Sequence, residues 1–441
     1  MIADAPKGLP LLGHALQLFR DPLAFLESLP PQGALVRIGL GPMTAVVICD
    51  PDLTRQVLQD DRVFDKGGVL FDRAREVFGM NLVTCPHSRH RRQRRLVQPA
   101  FHSARLPGYA KTMANETAAV VGGWRDGQIL DIPAETGRLA MRIAMETMFS
   151  GSLAPHALHR AIDDLTVVTG GILRRAMLPP WLNQVPTPAN WRYNRAGARL
   201  ERMVDDIVAE RRCADVDHDD LLSALLTACA PGRSDMIDFE IRDQIIAFFG
   251  AGSETTANTL AWALHMIARH PGVEQRLHAE VDNVLAGAPA GWADIPRLEL
   301  TSRVITETLR LCSPAWIFTR IVSEDVNLDG NLISAGTTLV CSPYLVHRDD
   351  RLYDRPLRFD PDRWGRAGQS QPPRHAFLPF GWGARKCIGE QFAHMEAVVA
   401  LSTITARWRL ESVDDRPVRP PPAATLIPHG LRLRARSRIT T

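Results

Sequence analysis

The stretch Phe380-Gly-Trp-Gly383-Ala-Arg385-Lys-Cys387-Ile-Gly389 decides the fold of this chain. Glycines bracket a cysteine, cations stand beside it, and a helical pattern starts immediately afterwards. Glycine permits backbone conformations closed to other residues and lets a flat ligand approach closely. A cysteine just before a helix lies at the positive end of the helix dipole, and neighbouring cations further favour its thiolate. Such a thiolate can bind a soft metal or act as a nucleophile, and the alternative is a buried structural cysteine in a glycine-rich turn.

This order of residues resembles the haem-binding signature of the cytochrome P450 family, Phe-x-x-Gly-x-Arg-x-Cys-x-Gly, at every fixed position. The resemblance implies that Cys387 ligates the iron of haem b, that Phe380 packs beside the sulfur, and that Arg385 pairs with a haem propionate. Gly383 and Gly389 complete the haem-binding stretch. Thiolate ligation pushes electron density towards the iron and favours cleavage of the O–O bond.

A long apolar segment, residues 235–269, contains the stretch Ala251-Gly252-Ser-Glu254-Thr255-Thr. A helix that is hydrophobic all round belongs in the centre of a protein, and a Glu within it is costly unless paired. One interpretation is a kink whose Ser and Thr hydroxyls bond back to the backbone, and the other is a ligand groove with a proton relay. The stretch resembles the family's Ala-Gly-x-(Asp/Glu)-Thr pattern, which implies that Ala251 and Gly252 lie at the haem. Glu254 and Thr255 are then catalytic and deliver protons to dioxygen.

The spacing of Glu307-Thr-Leu-Arg310 places both side chains on one face of a helix, which by itself is equally typical of a solvated surface. The family has a buried Glu-x-x-Arg joined by a downstream arginine, which matches Arg363. The resemblance implies a structural triad of Glu307, Arg310 and Arg363. Asp362 and Trp364 depart from the commoner Glu and Phe of this region.

The basic run of residues 89–95, Arg-His-Arg-Arg-Gln-Arg-Arg, suggests a nucleic-acid patch or a solvated face when taken alone. No aromatic residues interleave with it, which argues against nucleic acid. The run resembles the family's C-helix, so that His90 and Arg94 contact a haem propionate. Its other arginines then form a basic surface for an acidic ferredoxin or flavodoxin. Arg320 resembles the family's strand arginine that binds the other propionate, although a lone arginine can equally cap a strand.

The composition of the chain limits the classes of protein to which it can belong. The net charge is only +3, and the seven cysteines are scattered without a CxxC pair, which excludes zinc ribbons and indicates a reduced, cytoplasmic protein. No signal peptide and no membrane span are predicted. We expect a single domain over residues 1–441, mainly α with a small β part and one long central helix over the haem. The β part is expected near residues 30–50 and 315–345, with an Asp329-Gly330 hairpin and a further C-terminal strand within 425–433.

Four aromatic residues are expected to line the pocket by resemblance, with about half of them simple core residues instead: Phe71, Phe78, Trp316 and Phe318. They indicate an apolar substrate. The stretches 64–68 and 91–102 are similar to those of actinomycete family members that oxidise terpenes, such as pentalenene oxygenases, while a polyketide, macrolide or fatty acid stays open. The expected activity inserts one oxygen atom of O2 into an unactivated C–H bond, with electrons from a separate donor. A peroxide-driven peroxygenase, a non-catalytic haem protein and a nucleic-acid-binding protein are the alternatives.

Overall fold

The computed structural model describes residues 2–150, 155–177, 180–214, 218, 220–228, 238–365, 372–414, 416, 418–421, 423 and 425–438. Most of them are helical. The α-helices are α1 (Ala15–Arg20), α2 (Pro22–Glu27), α3 (Pro51–Gln59), α4 (Val69–Phe78), α5 (His87–Val97), α6 (Leu106–Gly122), α7 (Ile132–Phe149), α8 (Pro155–Met177), α9 (Pro188–Ala214), α10 (Leu221–Ala228), α11 (Asp238–Ala268), α12 (Pro271–Leu285), α13 (Glu299–Leu311), α14 (Pro343–Val346) and α15 (Glu390–Arg407).

Eleven short strands lie within the described residues. They are β1 (Ala3–Asp4), β2 (Leu35–Leu40), β3 (Met43–Ile48), β4 (Phe64–Asp65), β5 (Ile129–Asp131), β6 (Phe318–Val322), β7 (Val326–Leu328), β8 (Asn331–Ile333), β9 (Thr338–Cys341), β10 (Trp408–Ser412) and β11 (Arg432–Ser437). The mainly α class with a small β part is confirmed. The chain forms two compact units, and the single domain stays a prediction.

The first unit comprises Met1–Phe71, Thr306–Cys387 and Arg419–His429. Its main sheet has the strand order β1-β2-β3-β9-β6-β4, in which β2 and β3 form an antiparallel hairpin and β3 runs parallel to β9. Successive residues of β2 alternate between two buried apolar clusters: Leu35 lies in one, and Val36 and Ile38 lie in the other. This period of two is that of a β-strand, and Arg37, on the same face as Leu35, is exposed.

The second unit comprises Asp72–Ile305, Ile388–Val418 and Gly430–Thr441. Helix α11 is its centre and packs against α7, α9 and α15. From Thr256 to Leu264 every residue of α11 is buried, so the prediction of a long central helix is confirmed. Its predicted first residues, 235–237, lie outside the described residues. A small sheet of order β10-β11-β5 completes the unit.

Two local predictions can be compared directly with the backbone. Asp329 and Gly330 both have positive φ, 52° and 72°, between the antiparallel strands β7 and β8, as the predicted two-residue hairpin requires. The C-terminal strand was placed too early within 425–433, since β11 starts only at Arg432 and pairs with β10 and β5. Apolar composition alone marked the earlier residues, whereas the pairing partners decide where a strand forms. None of the described helices is long and apolar enough to cross a membrane.

Candidate active site: a cysteine loop and a buried helix

The cysteine loop, residues 380–387, turns back on itself in the first unit. Gly381 and Gly383 have φ of 73° and 71°, a region that favours glycine, and a short 3-10 turn spans Gly383–Arg385. The backbone N–H of Cys387 donates to the Phe380 carbonyl at 2.8 Å, which closes the loop. Cys387 is an exposed cysteine, so the alternative of a buried structural cysteine is wrong.

Gly383 is needed for a close backbone approach as well as for its φ. A Cβ at this position would lie 2.6 Å from the carbonyl oxygen of Leu58 and 2.9 Å from the Cα of Gln59, at the end of α3. These are rigid backbone atoms, so no larger residue fits. The glycine of the motif therefore seats the loop against α3.

Arg385 has two carboxylate partners that the sequence did not reveal. Its Nε donates to Asp61 Oδ2 at 2.7 Å, and its Nη2 donates to Asp65 Oδ1 at 2.9 Å. The arginine is 8% exposed. Charge-assisted bonds of this kind are short and directional, so the two aspartates hold the cysteine loop on the segment that follows α3.

Arg320, on β6, is a buried cation of a different kind. It is 4% exposed, its Nη1 donates to the Thr319 carbonyl at 2.8 Å, and its Nε has no hydrogen-bond partner. Asp61 and Asp65, which are bound to Arg385, act on Arg320 electrostatically but form no ion pair with it in the described part of the chain. Burial is the larger effect and lowers the pKa of this guanidinium, because a charge removed from water is unfavourable unless it is paired. An anionic group such as a propionate fits this position.

The three members of the predicted structural triad meet in the first unit. Arg310 donates to both oxygens of Glu307 at 2.9 and 2.7 Å, and Arg363 Nε lies 3.5 Å from Glu307 Oε1. Arg310 also donates to the carbonyls of His347 and Pro356. Both members of the closest pair are fully buried, which rules out the solvated-surface alternative.

Trp364, which stands where the family commonly has Phe, adds a hydrogen bond to the structural triad. The indole Nε1 of Trp364 donates to Glu307 Oε2 at 2.8 Å, a bond that the commoner phenylalanine cannot make. The backbone N–H of Asp360 adds a further bond to the same carboxylate at 3.0 Å. Glu307 therefore accepts from four different residues, and it ties α13 to the segment around residues 354–364.

In the second unit, α11 runs unbroken through the Ala251 to Thr255 stretch. The hydroxyls of Ser253 and Thr255 donate to backbone carbonyls four residues earlier, Phe249 and Ala251, each at 2.7 Å. This is the back-bonding that the first interpretation predicts, but without a helix break. Ala251 is nevertheless exposed, and a Cβ at Gly252 would meet nothing within 4 Å. An open face in the middle of an otherwise buried helix is what the ligand-groove interpretation predicts.

The start of α11 positions the basic helix α5. The carboxylate of Asp243 accepts from the Met80 N–H at 2.9 Å, and Gln244 Oε1 accepts from the Leu82 N–H at 3.1 Å. Gln93 of α5 then donates to the Met80 carbonyl at 2.9 Å. The loop before α5 is thereby fixed to α11, and α5 itself is held by that loop.

On α5 the burial pattern separates the basic residues into two groups. His90 is 5% exposed and Arg94 is half-buried, one helical turn apart. Arg89, Arg91 and Arg95 are exposed. Spacing by four thus gives one pair that is turned inward, and the exposed arginines lie apart from it. Next to this surface the guanidinium of Arg92 forms an ion pair with Glu240 at 3.1 Å.

The four predicted pocket residues have different surroundings. Trp316 is 5% exposed within an apolar cluster of the first unit and donates to the Ala423 carbonyl, so it has the position of a core residue. Phe318 packs partly against the other cluster, and the ring of Phe71 lies 5.7 Å from the Lys66 ammonium. In the second unit, a Cβ at Gly250 would lie 3.3 Å from the Phe78 ring. Phe78 thus lies beside the buried Gly250, the residue before Ala251 in α11, and packs against the apolar cluster of this unit.

A buried carboxyl group in α15 was missed by the sequence analysis. Glu396 is 2% exposed, and burial raises the pKa of its carboxyl well above 4.5, with a smaller opposing effect from the Thr256 hydroxyl. The residues around Glu396 are apolar on every side, from Met395 to Leu401, and this run was the available signal that the carboxyl group is buried.

Comparison with known proteins agrees with this geometry. Residues 4–434 match the family described as cytochrome P450. The chain is 46% identical to a pentalenene oxygenase of Streptomyces avermitilis over 98% of this chain and 97% of the relative. It is 44% identical to a cyclooctat-9-en-7-ol 5-monooxygenase of Streptomyces melanosporofaciens, over 96% of this chain and 90% of the relative. A cyclooctatin synthase of the same organism is 43% identical over 97% of this chain and 94% of the relative. Because the family and these relatives match the chain almost from end to end, this chain belongs to the cytochrome P450 family of haem-iron monooxygenases.

Proposed function

We propose that this protein hydroxylates an unactivated C–H bond of a cyclic terpenoid, with haem b bound through the thiolate of Cys387. The closed loop that presents an exposed Cys387 thiol carries the proposal. When bound, haem supplies oxygen activation at a thiolate-ligated iron. Residues of this protein are proposed to bind the haem, to position the substrate and to move protons.

The cations proposed to bind the haem propionates are His90, Arg94, Arg320 and Arg385. Arg320 is the strongest candidate, because it is a buried guanidinium without a carboxylate partner in the described part of the chain. Arg385 is held in place by its two aspartates. Phe380, Gly383 and Gly389 are proposed to shape the thiolate side of the haem site. Ala251 and Gly252 are proposed to contact the haem, since Ala251 is exposed and a Cβ at Gly252 would meet nothing within 4 Å.

Glu254 and Thr255 are proposed to move protons during oxygen activation. The hydroxyl hydrogen of Thr255 is bound to the Ala251 carbonyl, so its oxygen lone pairs are available to accept a hydrogen bond from a proton-carrying water. Glu254 is half-buried on the same helix, where a carboxylate can exchange protons with solvent. Positioning of such groups is the usual contribution of acid–base catalysis. This relay also favours a donor-driven monooxygenase over a peroxygenase.

The substrate proposal rests on two observations. Relatives that match almost the whole chain are named for the oxidation of pentalenene and of cyclooctat-9-en-7-ol. Phe78 lies beside Gly250, the residue before Ala251 in α11, and is proposed as an aromatic wall of a pocket for an apolar, compact substrate. Phe71 and Phe318 are proposed as further pocket residues.

The electron donor is proposed to be a ferredoxin or flavodoxin in the cytoplasm. Arg89, Arg91 and Arg95 form an exposed cationic surface on α5, and complementary charge increases the rate of encounter with an acidic partner. Reversal of these charges is expected to slow electron transfer most at low ionic strength, where screening is weakest.

The first experiment records the difference spectrum of the reduced protein with carbon monoxide. Wild type is expected to give the strongly red-shifted Soret band of thiolate ligation, and Cys387→Ala is expected to lose it. Cys213→Ala is the matched control, because Cys213 is also an exposed cysteine. A histidine-type band that Cys387→Ala leaves unchanged would overturn the proposal. A spin-state shift on addition of a cyclic sesquiterpene then tests the substrate class, and a shift with fatty acids alone would reject it.

A further inference from the structure

Two tryptophans on the surface of the helical second unit are unusually exposed. Trp181, in the 3-10 turn Pro180–Asn183, is 64% exposed, and Trp191, in the first turn of α9, is 59% exposed. Val185 between them is 39% exposed. Aromatic side chains usually bury about 150–250 Å² each, so a pair of indoles left in solvent is a feature that needs an explanation.

The backbone that carries these indoles is held together from inside by an asparagine. Asn190 is 3% exposed, and its Nδ2 donates to the carbonyls of Leu182 and Val185, each at 2.9 Å. Leu182 and Asn190 are the chain neighbours of Trp181 and Trp191. Because consecutive Cα atoms are only about 3.8 Å apart, the two tryptophans start from adjacent parts of the backbone.

A second asparagine fixes the same turn to α8. Asn183 is 4% exposed, and its Nδ2 donates to the Arg175 carbonyl at 3.0 Å. The Arg175 guanidinium lies over the Tyr193 ring, 4.4 Å from its centroid. The turn therefore has polar amides inside and large apolar side chains outside, the reverse of the usual distribution. Such an arrangement suits a surface that is covered by something apolar.

The charge of this region is of one sign. Residues 165–200 contain no Asp or Glu but contain five arginines, at positions 174, 175, 192, 195 and 199. Arg199 is paired with Asp164, whereas Arg192 and Arg195 are exposed and form no ion pair within the described part of the chain. The Arg195 guanidinium lies 4.9 Å from the centroid of the Trp191 ring. A cation thus lies directly beside the exposed indole of Trp191.

We propose that this tryptophan–arginine surface, Trp181, Val185, Trp191, Arg192 and Arg195, binds the interface of an anionic phospholipid bilayer. Indoles prefer the level of the headgroups, where one part of the ring is apolar and the other is hydrated. Arginines beside them attract anionic lipid, and the lack of carboxylates across residues 165–200 removes any repulsion. Binding is peripheral, as for other interfacial elements that insert only apolar side chains. The proposal does not depend on the substrate proposed above.

The test is sedimentation of the full-length holoenzyme with phosphatidylglycerol vesicles, and with phosphatidylcholine vesicles for comparison. The variant is Trp181→Ser combined with Trp191→Ser, and Trp292→Ser is the matched control, since Trp292 is 41% exposed in another part of the unit. Burial of about 60 Å² of apolar surface corresponds to a tenfold change in an equilibrium constant. Each indole exposes more than this, so the double variant is expected to bind at least about a hundredfold more weakly.

Wild type and Trp292→Ser are expected to sediment with phosphatidylglycerol vesicles at low salt and to release at high salt. Arg192→Glu combined with Arg195→Glu is expected to abolish the preference for anionic lipid, and this variant carries the test if the tryptophan variant does not fold. No binding of wild type at low salt would overturn the proposal. Equal binding of wild type and both double variants would do the same. A dimer that the tryptophan variant dissociates, without vesicle binding by wild type, would assign the surface to a second copy of this chain instead.

Discussion

Replacement of Glu307 by glutamine keeps the shape of the side chain and removes its charge. The carboxylate is fully buried and accepts five hydrogen bonds from four residues, Arg310, Arg363, Trp364 and the backbone of Asp360. An amide places a donor where these groups require an acceptor, and it leaves the buried Arg310 without a counter-ion. Loss of one partner of a buried ion pair costs about 3–5 kcal/mol, a large part of the ~5–15 kcal/mol that stabilises a typical protein.

Urea unfolding at pH 7, followed by far-UV circular dichroism, measures the difference. Glu324→Gln is the matched control, because Glu324 is exposed in the same unit and surface changes of this kind usually alter stability by less than about 0.5 kcal/mol. Trp364→Phe removes a single donor to the carboxylate and is expected to cost about 2 kcal/mol. If Glu307→Gln unfolds at the same urea concentration as Glu324→Gln, the carboxylate does not have the structural role assigned to it.

Two further predictions concern the cysteine loop and α15. Gly383→Ala is expected to lower the haem content of the protein. It is also expected to lower the free energy of unfolding by roughly 2 kcal/mol or more, because both the positive φ and a backbone clash disfavour a Cβ at this position. Gly336→Ala is the control, because Gly336 has φ +83° but a Cβ there would meet nothing within 4 Å. This variant has the backbone strain without a clash and is expected to cost only about 1 kcal/mol of stability. Equal losses of stability in the two variants would refute the clash at Gly383. Burial raises the pKa of Glu396 above its unfolded value of 4.5, so wild type loses stability as pH rises from 4.5 towards the raised pKa, by up to about 1.4 kcal/mol per pH unit. Glu396→Gln is therefore expected to gain stability relative to wild type as the pH rises above 4.5 in urea titrations, and parallel pH profiles would contradict this.

The local geometry of the candidate site was predictable, because it depends on residues that are close in sequence. The order of Phe380, Gly383, Arg385 and Cys387 fixes a loop that closes on itself through one backbone hydrogen bond. Spacing by three or four placed Glu307 beside Arg310 and separated His90 and Arg94 from the exposed arginines of α5. In each case helix or turn geometry converts spacing into proximity without any knowledge of the remaining chain.

Partners that are distant in sequence could not be predicted. Asp61 and Asp65 lie more than three hundred residues before Arg385, and the carboxylate of Asp243 reaches the loop before α5 across a separation of 163 residues. The C-terminal strand was misplaced for the same reason, since its start is set by pairing with β5 and β10.

The sequence by itself determined the family, the axial cysteine candidate and the buried central helix, because each depends on residues within a few turns of one another. Only the tertiary structure decided which charges are neutralised. It gave Arg385 two aspartates, left Arg320 buried without a carboxylate partner among the described residues, and placed Glu396 in the interior. It also left Trp181 and Trp191 in solvent. Burial and charge pairing depend on which distant segments the folded chain brings together, and one sequence carries no local signal for that.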